Sequence, residues 1–432
     1  MRLPGLIAIT ALLLSVSADA SFNDRQQPED LLVGAIRWDN WTPESPHAAV
    51  VLDPAAEDRV PFFAFSNRQG ATRLFGGSRP VAEAENAYAR AAGIDYWLFN
   101  YYAPTASFGR TLAFATRMNR SLEAYRGLQN RGDMRFALLL QQTYPSRDID
   151  ALVRLIRPML QDKDYVRLAD GSAPLFAQGM RGWEQTLGTP AALRAFFSKL
   201  KDDLARASGL RIRLVAVGSD LVRLDAYTGP GQPFDLFTSY ADAPPNDDRT
   251  RPMAECQAAS RDFWKRAVAT GKPFMPNVTL GWNMRVTLSH PDQLYDRSRT
   301  PGTCLPATEQ EWLGQIREAR RVAREAGRGG PMPGMLFYAW NELSEGGWIV
   351  PTRHEGTRRL AVIARALGRS RPPRQEAVLT YPDDGNPATQ VDEWPCPPGL
   401  VVAGEKAAAP DPEMRALHAG RWTRRTCRRS LE

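Results

Sequence analysis

Gly334-Met335-Leu336-Phe337-Tyr338-Ala339-Trp340-Asn341-Glu342-Leu343-Ser344-Glu345-Gly346-Gly347 is the most informative stretch of this chain. Its first six residues form a short apolar run, the pattern of a β-strand buried on both faces. Two carboxylates three positions apart follow at once, among aromatics and glycines. In a barrel or open sheet of βα units, the carboxyl ends of the strands are where chemistry is placed.

Seven similar runs precede it: Leu32–Arg37, Tyr96–Asn100, Phe136–Gln141, Leu175–Ala177, Arg213–Val217, Leu236–Thr238 and Phe274–Val278, with Met335–Ala339 as the eighth. Helical patterns lie between them at Val81–Ala92, Thr111–Arg131, Ile149–Leu160, Thr189–Ala207, Ala254–Ala269 and Glu309–Ala326. In the last, Trp312, Leu313, Ile316, Ala319 and Ala323 make an amphipathic stripe. This alternation predicts an α/β fold, a (β/α)₈ TIM barrel within residues 21–370. A doubly wound sheet is the rival, but no Gly-rich phosphate loop follows any strand. From Ser370 onward the composition turns to Pro and Gly, so 371–432 reads as an irregular C-terminal extension.

Residues 1–20 read as a cleavable signal peptide. Arg2 precedes an apolar run from Leu6 to Val16, and Ala18-Asp19-Ala20 offers a small-x-small cleavage site. Together they imply a secreted or periplasmic protein with no stable membrane insertion. The four cysteines fit an oxidising compartment. Three pairings exist; Cys256–Cys304 with Cys396–Cys427 suits the chain best, because the second pair lies in the tail. The formal net charge of +7 comes without any nucleic-acid motif. Its densest parts are Arg317, Arg320, Arg321 and Arg324, and Arg421, Arg424, Arg425, Arg428 and Arg429. They read as a solvated helix face and a basic tail, or as attraction to an acidic polysaccharide or membrane. No two cysteines have ligand spacing and the four histidines are scattered, so no metal and no other cofactor is expected.

The proposed strand ends gather aromatics, amides and carboxylates: Trp38, Asp39 and Trp41; Asn100 and Tyr101; Gln141; Tyr240 and Asp242; Trp282, Asn283 and Arg285; Trp340 and Asn341. Flat apolar rings beside such groups suit a sugar. Asp39 and Asp242 read equally as helix N-caps, and Arg37 and Arg285 as their ion-pair partners. If Asn341–Gly346 turns like a helix start, Glu342 and Glu345 share one side, with carboxyls about 5 Å apart, the separation of a retaining glycosidase. A helix N-terminus that favours acidic residues explains the same spacing.

Trp340-Asn341-Glu342-x-x-Glu345-Gly346, followed by Val350-Pro351-Thr352 and Gly356, resembles the endo-α-mannosidase clan (glycoside hydrolase family 99) and the related WbsX-type polysaccharide proteins. Gly34–Trp41, Ala92–Trp97 and Pro276–Arg285 are similar stretches in the same order. The resemblance implies a (β/α)₈ barrel and retaining cleavage of an α-linked glycan without a cofactor. It implies Glu342 as the base that deprotonates the sugar 2-hydroxyl and Glu345 as the general acid/base. The mannosidases carry Trp and His between these glutamates; Leu343 and Ser344 bring this chain closer to the WbsX-type pattern. Two alternatives are a non-catalytic polysaccharide-binding or assembly protein on the same barrel, and a WbsX-type glycosyltransferase.

Overall fold

The computed structural model describes residues 31–66, 72–107, 112–242, 244, 247–290, 302–327, 330–368, 376–383, 394–409 and 421–428. The expected leader over residues 1–20 lies outside them, as does Arg429. Parallel strands succeed one another round a ring: β1 (Leu32–Arg37), β2 (Tyr96–Tyr101), β3 (Arg135–Leu140), β4 (Ala173–Gln178), β5 (Ile212–Val217), β6 (Leu236–Thr238), β7 and β8 (Gly334–Tyr338). Strand β7 is in two pieces, Phe274–Met275 and Asn277–Thr279, parted by Pro276. The first piece pairs with β6 and the second with β8, which pairs with β1, so the sheet closes into a barrel. Proline has no N–H to give the ladder, hence the break. Its carbonyl still accepts from the Leu336 N–H at 3.0 Å.

Each strand is followed by a helix: α1 (Arg79–Ala91), α2 (Leu112–Arg126), α3 (Ile149–Leu160), α4 (Pro190–Ser208), α5 (Leu221–Tyr227), α6 (Met253–Ala269), α7 (Glu309–Ala326) and α8 (Arg358–Leu367). The (β/α)₈ expectation is met, and the eight strands fall within two residues of their expected bounds. Helix α7 shows why its pattern was readable. Thr308 and Glu311 close a capping box at its start, and Trp312, Ile316, Ala319 and Ala323 are buried on one face. Its opposite face is solvated: Arg321 bridges Glu318 and Glu325 along the helix. Helices α5 and α8 were not expected, and neither was Met180–Leu187; all three are only seven to ten residues long.

The tail corrects the expectation of irregular structure. Glu376–Asp383, Val401–Ala407 and Arg421–Arg428 form an antiparallel sheet with Arg421–Arg428 in the middle. Cys396–Cys427 staples it, while Cys256–Cys304 forms in the barrel, so the sequential pairing holds. The sheet is seated on the barrel. Trp394 packs edge-on against Phe62 at 4.9 Å, and the Tyr88 hydroxyl donates to the Pro395 carbonyl at 2.6 Å. Arg425, buried here, donates to the Trp394 carbonyl at 2.7 Å and lies over the Tyr381 ring. The Pro- and Gly-rich run Pro395–Gly399 lies between strands, where such residues belong.

Candidate active site

The segment after β8 is a tight hairpin and not a helix start: Asn341–Glu342 pairs antiparallel with Gly347–Trp348. Close backbone approach explains its glycines. A Cβ on Gly346, whose φ is +81°, would lie 2.4 Å from the Asn283 nitrogen, and one on Gly281 would lie 2.5 Å from the Gly346 oxygen. Four carbonyls of this segment are engaged from outside it. Leu343 O accepts from Arg59 at 3.1 Å, Ser344 O from the Thr287 hydroxyl, Glu345 O from the Asn283 N–H at 2.8 Å, and Trp348 O from Arg359 at 2.9 Å. Two buried arginines, Arg59 and Arg359, thus clamp the hairpin, each also over the Trp348 ring. Burial lowers the Arg59 pKa.

Glu342 is 4% exposed and accepts from the Tyr240 hydroxyl at 3.0 Å, which in turn accepts from the Asn100 amide at 2.9 Å. Glu345 accepts from the hydroxyl of Tyr338, the last residue of β8. The Tyr240 and Tyr338 rings meet at 5.2 Å. Burial pushes the Glu342 pKa well above the usual carboxylate range; the nearby Glu345 charge adds to this, and the Tyr240 hydrogen bond opposes it.

Beneath the hairpin lies a buried polar knot. Asn341 accepts from the Trp38 backbone N–H at 2.9 Å and donates to Asp39 at 2.8 Å, and its carbonyl accepts from the Trp41 indole at 2.8 Å. Arg37 lies between Asp39 at 2.8 Å and Glu85 at 2.7 Å, and Glu85 accepts from the Trp340 indole at 2.7 Å. Burial lifts the Glu85 pKa to about 7 against the opposing pull of Arg37. Asp39, Trp41, Trp340 and Asn341 therefore tie β1 to β8 under the site. The N-cap alternative for Asp39 gives way to the pairing with Arg37.

The cleft above encloses about 610 Å³ at the carboxyl ends of the strands. Glu342, Glu345, Trp38, Tyr240 and Trp282 line it, as does Gln141. The Trp38 indole donates to the Tyr102 hydroxyl at 3.1 Å. Asn100 reaches the cleft only through Tyr240. Tyr101 is buried away from the lining, and Asn283 serves the hairpin backbone. Arg285 is exposed, outside the lining, and donates to the Thr250 hydroxyl. The Asp242 N–H donates to the Thr279 hydroxyl, and burial pushes the Asp242 carboxyl up to about 6.

Sequence reasoning missed Tyr338, hidden inside an apolar strand run, and the far wall of the cleft: Gln178, Arg181, Asp220 and Arg223. Those four sit after β4 and β5, where no motif marks them; the charged residues of Gly218-Ser219-Asp220 to Arg223 were the only available signal. Among the described residues no cluster of His, Cys, Asp or Glu has the arrangement of a metal site.

No sequence-family model matches the chain, and no curated protein does. Solved structures similar to it include an endo-α-mannosidase of glycoside hydrolase family 99 from Bacteroides thetaiotaomicron, at 14% identity and a TM-score of 0.48, over 80% of this chain and 98% of that one. A family 113 β-1,4-mannanase matches at 9% identity and 0.36, over 67% and 93%. A family 5 mannosidase from Rhizomucor miehei matches at 12% and 0.35, over 66% and 86%. At identities this low, none of them carries the chemistry.

Proposed function

We propose that this chain is an exported retaining glycoside hydrolase acting on an α-linked glycan, with Glu342 and Glu345 as its catalytic pair. The observation that carries the reading is the pair itself. A buried glutamate with a raised pKa stands beside a second carboxylate, in an aromatic-walled cleft at the mouth of a (β/α)₈ barrel. The resemblance of the Trp340–Gly346 motif supplies the roles. Glu342 takes the proton of the sugar 2-hydroxyl, whose oxygen attacks the anomeric carbon. Glu345 gives its proton to the departing glycosidic oxygen, then takes one from the water that attacks the anomeric carbon, while the C1–O2 bond of the anhydro sugar breaks and Glu342 returns its proton to O2. High proton affinity suits a base acting on a weakly acidic hydroxyl. The chemistry needs one proton shared by the pair, and burial of Glu342 beside a like charge favours holding one.

Trp38, Tyr240 and Trp282 would stack on the sugar faces, with Gln141 and Gln178 facing its hydroxyls. We assign the barrel, residues 31–368, as the hydrolase domain and the tail sheet as its buttress. The leader over residues 1–20 and the two disulfides support export. The test is reducing-end release from α-linked polysaccharides by the mature protein, beside Glu342→Gln and Glu345→Gln. Each substitution should lower turnover by about 10²- to 10⁴-fold. Binding by all three proteins without release by any would overturn hydrolysis and leave a polysaccharide-binding protein.

A further inference from the structure

The cleft has two chemically different poles. Strands β8, β1, β6 and β7 bring the glutamates and the aromatic rings. The opposite wall, from β4 and β5, brings Arg181 and Arg223. In an eight-stranded ring β4 faces β8, so a glycan spanning the mouth meets both poles.

The arginine wall is organised in advance. Arg223 donates through Nε to Glu184 at 2.9 Å and through Nη1 to Asp220, which also accepts from the Arg223 backbone N–H at 3.3 Å. The Tyr227 hydroxyl donates to the other Glu184 oxygen at 2.5 Å. These bonds engage both oxygens of each carboxylate and fix the Arg223 side chain. Arg181 differs: its side chain is 68% exposed, and among the described residues its ion pair is with Asp220 at 3.5 Å. Most of its guanidinium N–H groups therefore remain open to the cleft. Arg181 also stands in the first turn of Met180–Leu187, which begins at Gly179 (φ +77°) with no side chain capping its amides. That end adds partial positive charge on the same wall. The formal net charge of +7 favours approach of a polyanion as well.

We infer that the cleft takes an anionic glycan, a sugar chain bearing carboxylate or sulfate groups, with Arg181 holding an acid group and Arg223 fixed behind it. A planar guanidinium offers paired N–H donors that match a carboxylate or sulfate, which a neutral sugar does not need. Gln141 and Gln178 line the same cleft, and their amides suit the hydroxyls of the same chain. The inference rests on the reading of this cleft as a glycan site.

The experiment is calorimetric binding to the mature protein carrying Glu342→Gln, so that turnover does not intervene. The probes are α-1,4-oligogalacturonate against its methyl ester, and dextran sulfate against dextran. The charged member of at least one pair should bind about tenfold more tightly. That preference should shrink with added salt, vanish in Arg181→Ala and return in part in Arg181→Lys. The pair that discriminates tells carboxylate from sulfate. Equal affinity within both pairs, no binding to any probe, or a preference unmoved by Arg181→Ala would overturn the inference. Cleavage of neutral glycans by the wild type alongside such a result would leave the hydrolase reading standing. Discrimination through Arg181 without cleavage of any glycan would do the reverse.

Discussion

Glu342 sets the pH behaviour of the site. Its carboxyl is buried beside Glu345, and Tyr240 gives it one hydrogen bond. Glu345→Gln removes a like charge and should lower the Glu342 pKa; Tyr240→Phe removes a donor to the ionised form and should raise it. Carboxyl ¹³C shifts across a pH series would show both, and movement in the same direction would contradict this account. On the proposed role of Glu342 as base, the acidic limb of kcat/KM should follow, because a base has to be ionised to act. Stability runs the other way. A carboxyl with its folded pKa raised binds more protons folded than unfolded. Wild-type stability should thus fall relative to Glu342→Gln as pH rises from about 4.3 to the raised value. Melting temperatures of the two proteins at pH 4, 6 and 8 would record it.

At the scale of elements, the hairpin after β8 decides where the glutamates stand, and it rests on backbone contact with the segment after β7. Gly346→Ala would place a Cβ 2.4 Å from the Asn283 nitrogen at a left-handed φ. We expect it to cost about 1–3 kcal/mol in denaturant unfolding and to lower kcat more than its stability loss explains. The Cys256–Cys304 bridge joins the same rim. It accompanies a short parallel pairing of Thr250–Arg251 with Thr303–Cys304, and the Cys304 N–H donates to the Trp282 carbonyl at 2.9 Å. Replacing both cysteines by serine should cost up to about 4 kcal/mol by loop closure. It should also raise KM, because the Trp282 wall loses its brace.

For the whole molecule, the barrel and the tail sheet share one core. Phe62, Phe65 and Tyr88 of the barrel are covered by Trp394 and Pro395. A chain ending at residue 370 would uncover them, so it should melt at lower temperature and aggregate, although no residue lining the cleft is removed. A truncated protein as stable and as monomeric as the full chain would show the tail to be dispensable.

Eight buried strands separated by amphipathic helices were legible because burial on both faces leaves continuous apolar runs, and a one-sided helix leaves a 3.6-residue stripe. The glutamate pair was legible for a related reason: Glu342 and Glu345 lie next to a strand end in the chain itself. The hairpin was not, because its shape comes from Gly281 and Asn283, some sixty residues earlier, pressing on Gly346. Nor were the roles of Asp39, Trp41 and Asn341, whose polar side chains suit a cleft wall until the pairing of β1 with β8 buries them. Arg181 and Arg223 entered the site only when ring closure set β4 and β5 opposite β8. Local pattern fixes what each segment becomes, whereas a site assembled from seven strand ends depends on contacts between residues far apart in sequence.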